Sequence, residues 1–195
     1  MDELALLSQL LRARNALDNI IADLIHRPVQ LGHVGEYLAQ QIFGVQLHST
    51  AVQRGSDGKF RDGALAGCSV NVKWYPKNEG ILAVNPKCEC DYYLVLTGPR
   101  RPAQSSRDTV RPWVIEAVYL FNARELVAEL NRTGVKMYEA TSVRQALWDS
   151  AEIYPAPLNP TLALSDEQHG LLALFGSGGT QGRPHRQLGS TARGG

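Results

Sequence analysis

With 195 residues, 44% of them hydrophobic and 20% charged, the chain is long enough for one domain with a real core plus extensions. Twenty Lys and Arg against nineteen Asp and Glu leave a formal charge of +1, so no whole-molecule field announces a nucleic acid or a membrane, and any basic surface must be local. Three cysteines without a CxxC pair argue against a disulfide framework and for a reducing compartment.

The chain begins with Asp2 and Glu3, which is not the basic-then-apolar order of a signal peptide, and no apolar run approaches the roughly 18 residues that span a bilayer. A soluble cytoplasmic protein is expected. Leu6, Leu10, Ala13, Leu17, Ile20 and Leu24 recur at alternating spacings of four and three, one helical stripe that ends before Pro28. The stripe suits a coiled-coil seam with a second subunit; packing on its own domain is the commoner outcome and the expected one. A second helix is predicted from about His33 to Phe43, opened by Gly32 and closed by Gly44, with Val34, Leu38 and Ile42 on its main apolar face and Glu36 off it.

A strand follows around Val45 to Val52, then a hairpin turning at Asp62-Gly63, then the strand Cys68 to Tyr75 and a further strand in "DYYLVLTGP". "RRPAQSSRD" is a flexible loop and "RPWVIEAVYLF" another strand. "NARELVAEL" is a helix capped by Asn122 with Glu125 at the capping-box position, and "TSVRQALWDSAEIYP" a helix capped by Thr141 or Ser142 and stopped by Pro155. The domains expected are an amphipathic helix over residues 1–27, an α/β domain over 28–175 and a disordered glycine-rich tail over 176–195.

Alternation along Cys68 to Tyr75 puts Cys68, Val70, Val72 and Trp74 on one face and Ser69, Asn71, Lys73 and Tyr75 on the other. The first face is core. The second holds a lysine and an amide that need either water or a site, and Asp57 and Asp62 stand across the hairpin. Acid and lysine brought together on neighbouring strands suit phosphodiester hydrolysis: hard oxygen ligands hold a divalent ion, and a lysine orients water or offsets charge on the transition state.

"GSDG…VNVKW", preceded by "GHVGEYLAQQIFG", resembles the PD-(D/E)xK nuclease superfamily over roughly Gly32 to Gly98, about a third of the chain. The resemblance implies a restriction-endonuclease-like fold, an α/β domain whose central mixed β-sheet is flanked by helices. It implies a metal-dependent endonuclease that hydrolyses DNA, with Mg²⁺ or Mn²⁺ as cofactor. Carried over, Glu36 matches the helix acid, Asp57 the hairpin acid, Asn71 the position before the lysine and Lys73 the lysine, with the backbone carbonyl of Val72 as a further metal ligand. Asn71 stands where an acid is usual. An amide oxygen still ligates a metal but brings no charge, so affinity for the ion should fall. The competing hairpin acid is Asp62, which reads better as the turn itself.

Arg54, Lys59, Arg61 and Lys77 surround the hairpin as nucleic-acid-binding candidates, and Arg100, Arg101, Arg107 and Arg111 decorate the loop beyond it; Trp74 or Tyr75 could stack on bases. Cys88-x-Cys90 lacks the second pair a zinc site needs. The alternative to an enzyme is a non-catalytic nuclease-fold module that binds nucleic acid or a protein partner, and the first helix suits a homodimer or a larger defence-system complex.

Overall fold

The computed structural model describes residues 2–49, 55–87, 89–101 and 110–179. In chain order its elements are α1 (Glu3–Ile25), α2 (Leu31–Phe43), β1 (Val45–Leu47), β2 (Gly58–Phe60), β3 (Ser69–Tyr75), β4 (Ile81–Leu82), β5 (Tyr92–Thr97), β6 (Ala117–Asn122), α3 (Ala123–Arg132), β7 (Thr141–Ser142), α4 (Gln145–Ala151), β8 (Glu152–Tyr154) and α5 (Asp166–Ala173). The protein is an α/β structure around a mixed six-stranded sheet in the order β1-β2-β3-β5-β6-β8, with β4 and β7 pairing apart from it. Only β3 and β5 run parallel; the other neighbours are antiparallel. The connection between two parallel strands needs room to cross back. Here residues 76–91, which include β4, provide it.

Each face of the sheet is covered, which is why β5 carries the nearly continuous apolar run Tyr93 to Leu96. On one side Val70, Val72, Trp74, Leu94 and Leu96 meet Leu38, Ala39 and Ile42 of α2 and Leu172 of α5. On the other, Tyr93, Val95, Tyr119 and Phe121 meet Leu126 and Leu130 of α3 and Trp148 of α4, with Leu82 and Val143 of the small ribbon. Trp148 stands edge-on to Tyr119 and Phe121, at ring separations of 4.8 and 5.1 Å.

Several expectations need correction. The stripe of α1 does not pack on its own domain: Leu6, Leu10, Leu17, Ile20 and Leu24 are exposed, and only Ile25 of this helix is buried. Thr141 and Ser142 do not cap α4. They form β7 with Ile81 and Leu82, and the helix starts after Arg144. The same helix stops at Ala151, because Glu152 to Tyr154 continue as β8 with Ile153 fully buried against the sheet. A further helix, α5, is present, opened by the reciprocal Ser165/Gln168 capping box. Within the span expected to be a disordered tail, Ser177–Gly179 form a 3-10 turn, and the Ser177 amide donates to Glu116 Oε1 at 2.7 Å. Residues 180–195 lie outside the described residues, as do Arg54, the far part of the first predicted strand, Cys88 and Arg107. No described helix is long and apolar enough to cross a membrane.

Candidate functional site

The site forms where β2 leaves β3. Odd-numbered residues of β3 turn their backbone groups to β5, as the amides of Asp91 and Gly98 donating to the carbonyls of Ser69 and Tyr75 show. Even-numbered ones turn toward β2, where the Phe60 and Asp57 amides donate to Cys68 and Val70. Pairing with β2 ends at Gly58 opposite Val70, so Val72 belongs to the even set and has no β2 residue opposite it. Its amide instead donates to the Asp57 carboxylate, Oδ2, at 2.7 Å. The carbonyl of Val72 leaves the strand on that same edge.

Asp57 is fixed by three hydrogen bonds to two strands. Its amide donates to Val70 O at 2.9 Å, its carbonyl accepts from the His48 amide at 3.0 Å, and its carboxylate holds the Val72 amide. Gly58, the next residue, lets β1 and β2 approach closely: a Cβ there would stand 2.4 Å from Gln46 O. Beside it the His48 ring nitrogen Nε2 meets Ser56 Oγ at 2.9 Å.

Glu36 on α2 lies near enough for its charge to act on Asp57. Gly35 lies against Trp74, where an added Cβ would be 3.2 Å from Trp74 Cβ, so the missing side chain lets the helix approach β3 with Glu36 beside it. Glu36 is half-buried and paired with Arg27, from just beyond α1, rather than solvated. The face assigned from the sequence leaves it off the apolar stripe, which is correct, yet off the stripe here means toward the edge of β3. Arg27 has no role in the sequence reading; only its separation of nine residues from an acid hinted at the pair.

Asn71 and Lys73 share the opposite face of β3 from Val70, Val72 and Trp74, as alternation requires. Asn71 is buried. Its amide nitrogen Nδ2 donates to Gly55 O at 3.3 Å, while its oxygen Oδ1 is buried with no hydrogen-bond partner among the described residues. Buried amide oxygens are nearly always satisfied, so this one marks a place where a donor or cation belongs. Lys73 is half-buried and borders a cleft of about 470 Å³ lined by Ala83, Asn85, Met137 and Tyr138 among others.

These groups share one electrostatic environment. Burial pushes the Asp57 carboxyl above the usual aspartate range; the Val72 amide pulls it back, the nearby Glu36 charge adds to the rise, and the cations of Lys73 and Arg27 oppose it. Asp62 lies elsewhere, exposed at the turn and bonded to Arg61. Of the two hairpin acids, only Asp57 adjoins β3 and Lys73.

The basic candidates disperse. Lys59 is exposed on β2, near enough to Asp91 that its charge helps lower that carboxyl, and Arg61 is exposed beside Asp62. Lys77 has a side chain only 11% exposed and turns its ammonium to Glu79 at 2.8 Å. Trp74 is core, with its ring nitrogen donating to Val114 O, and the Tyr75 hydroxyl accepts the Ala83 amide; neither presents a face for stacking. The exposed aromatics nearby are Trp113, 6.1 Å from Trp74, and Tyr138 at the Lys73 cleft. Neither stands in a periodic pattern that a sequence reading would select.

Among the described residues no group of three or more His, Cys, Asp or Glu gathers as a metal set. The oxygens this part of the chain offers are instead the carboxylates of Asp57 and Glu36, the backbone carbonyl of Val72 and the unpartnered side-chain oxygen of Asn71. The chain matches no family model, and no curated protein matches it.

Proposed function

We propose that the protein is a metal-dependent nuclease of the PD-(D/E)xK kind, with the restriction-endonuclease-like variety of this fold, acting on the phosphodiester bonds of DNA. The observation that supports the reading is the Asp57 carboxylate held on the Val72 amide, near enough to Glu36 and Lys73 for their charges to act on it, with the buried unpartnered oxygen of Asn71 one residue before Val72 on the same strand.

The oxygen set suits Mg²⁺ or Mn²⁺, which favour hard oxygen ligands and retain several waters. Asp57, Asn71 Oδ1 and the Val72 carbonyl would hold the ion, with Glu36 contributing once released from Arg27. Bound there, a divalent ion supplies polarisation of a phosphate oxygen and a more acidic water. Asp57 brings the charge that holds the ion and is kept in place by the Val72 amide. Lys73 offsets negative charge as it accumulates on phosphorus or steadies the attacking water. Asp57 must be deprotonated to ligate, so its raised pKa makes metal binding weaken with acidification sooner than at an exposed aspartate.

A second reading has a specific observation in its favour. With Glu36 paired to Arg27 and Asn71 neutral, the site is poor in available negative charge, which suits a module that binds nucleic acid or protein without cutting.

Cleavage of single-stranded, duplex and branched DNA with each ion separates the two. A nuclease cuts, better with Mn²⁺ than with Mg²⁺ because Mn²⁺ binds such sites more tightly, and loses activity in Asp57→Ala and Lys73→Ala. Asn71→Glu should raise metal affinity and rate. Binding of DNA without cutting by clean wild-type protein, unchanged in Asn71→Glu, would leave the non-catalytic reading.

A further inference from the structure

We infer that α1 is a dimerisation helix, and that its occupant is the α1 of a second copy of this chain, paired antiparallel. The inference does not rest on the nuclease reading.

Large apolar side chains of α1 stand in water: Leu10 is 58% exposed, Leu17 61%, Ile20 66% and Leu24 65%. Monomers rarely leave so continuous a patch open, here along a helix about 34 Å long. Among the described residues nothing covers it. The segments outside the described residues hold Met1, Val52 and Leu188 as their only large aliphatic residues. Among the described residues, the ties of the helix to the rest of the protein gather near its end, at the buried Ile25 and at the Arg27 to Glu36 pair.

The pattern selects the partner. Leu6, Leu10, Ala13, Leu17, Ile20 and Leu24 keep the four-three spacing of a two-stranded seam, and the same residues are exposed. In an antiparallel pair, Leu10 meets Ile20 of the partner subunit, Leu24 meets the partner's Leu6, and Leu17 meets the partner's Ala13. Every layer then sets one seam class against the other, with the small alanine always opposite a leucine. A parallel pair would place Ala13 against the partner's Ala13 and leave a hollow layer mid-helix.

Charge agrees with this direction. The cap Asp2 and Glu3 of one helix would lie beside the C-terminal end of the other, where His26 and Arg27 stand, and the two helix dipoles would oppose. The two Arg14 residues approach across the twofold axis. Each already carries its own Asp18 at 3.3 Å, which offsets the repulsion.

Sedimentation of the full-length protein at micromolar concentration should give two 21.4 kDa chains. Leu17→Glu, at an exposed position that folding does not need, should weaken association on the order of a hundredfold or more by burying an unpaired charge, with the melting temperature of dilute protein unchanged. In an oxidised Leu6→Cys/Leu24→Cys variant, peptide mapping should find cross-links joining position 6 of one chain to 24 of the other. A monomeric wild type, a dimer indifferent to Leu17→Glu, or 6-to-6 cross-links in place of 6-to-24 would each overturn the inference.

Discussion

The Asp57 carboxylate occupies the place of a missing strand neighbour, accepting at 2.7 Å the Val72 amide that β2 no longer reaches. An unpaired amide there would cost on the order of 1–3 kcal/mol if left buried, so the strand itself demands an acceptor at this position. The same carboxylate is the anion of the candidate metal site. One side chain would then serve both the sheet and the proposed chemistry.

This dual role has a pH signature. A carboxyl whose pKa is higher folded than unfolded takes up a proton on folding; its stability contribution is complete below the unfolded value near 3.8 and lost as pH rises through the raised folded value. In metal-free buffer Asp57→Asn, which keeps an oxygen to accept the Val72 amide, should melt above wild type at pH 7. The gap should shrink as the pH falls toward 4. Melting curves across this range check it, and a variant less stable than wild type at every pH would contradict the burial argument.

The electrostatic coupling of Glu36 and Lys73 to Asp57 can be read without any activity. Glu36→Gln removes a charge that raises the Asp57 pKa and should lower the titration midpoint of that carboxyl; Lys73→Met removes one that lowers it and should raise the midpoint. Carbon-13 shifts of the Asp57 carboxyl, followed by titration, give both values. Equal midpoints in all three proteins would place the groups too far apart to act together.

Trp148 tests the packing on the far face of the sheet. It is fully buried between Tyr119 and Phe121, and its ring nitrogen has no hydrogen-bond partner among the described residues. Trp148→Ala should cost about 3–5 kcal/mol in denaturant unfolding, the usual range for emptying such a site. Trp148→Phe keeps a ring edge-on to both neighbours and discards an unsatisfied donor, so it should cost much less.

How much of this was legible beforehand depended on periodicity. The alternation of Val70, Asn71, Val72 and Lys73 fixed which residues share a face of β3, because a strand offers only two. Asp57 and Lys73 were therefore recoverable from spacing. The break in β2 was not, since whether Val72 faces a strand or a carboxylate depends on where pairing stops, and no residue pattern marks that. Helix α5 carries a capping box, Ser165-x-x-Gln168, but the glycine-rich composition just beyond it hides the element in the sequence. The stripe of α1 was visible, but periodicity alone cannot say which surface covers it. The β8 segment, Glu152 to Tyr154, directly continues the helical pattern of α4, which a helix would accept equally well, and only burial of Ile153 against β6 decides it.

Gly58 joins the fold to the site most directly. A Cβ at this position would stand 2.4 Å from Gln46 O and 2.9 Å from Val45 Cγ1, and the first of these is backbone that cannot swing aside. Gly58→Ala must therefore push β2 away from β1, at a cost of about 1–3 kcal/mol by analogy with other overpacked positions. The displaced residue next to it is Asp57, whose carbonyl is held by His48 of the same β1 edge. The variant should lose the Asp57-to-Val72 contact as well as stability, so the proposed DNA cleavage should fall further than the fraction of unfolded protein accounts for. The control is Gly63→Ala at the hairpin turn, where φ is +77° but no atom lies within 4 Å of the added Cβ. It should destabilise through backbone strain alone and leave the activity of the folded fraction intact. Equal activity per folded molecule in the two variants would show that the position of Asp57 does not depend on the β1–β2 approach.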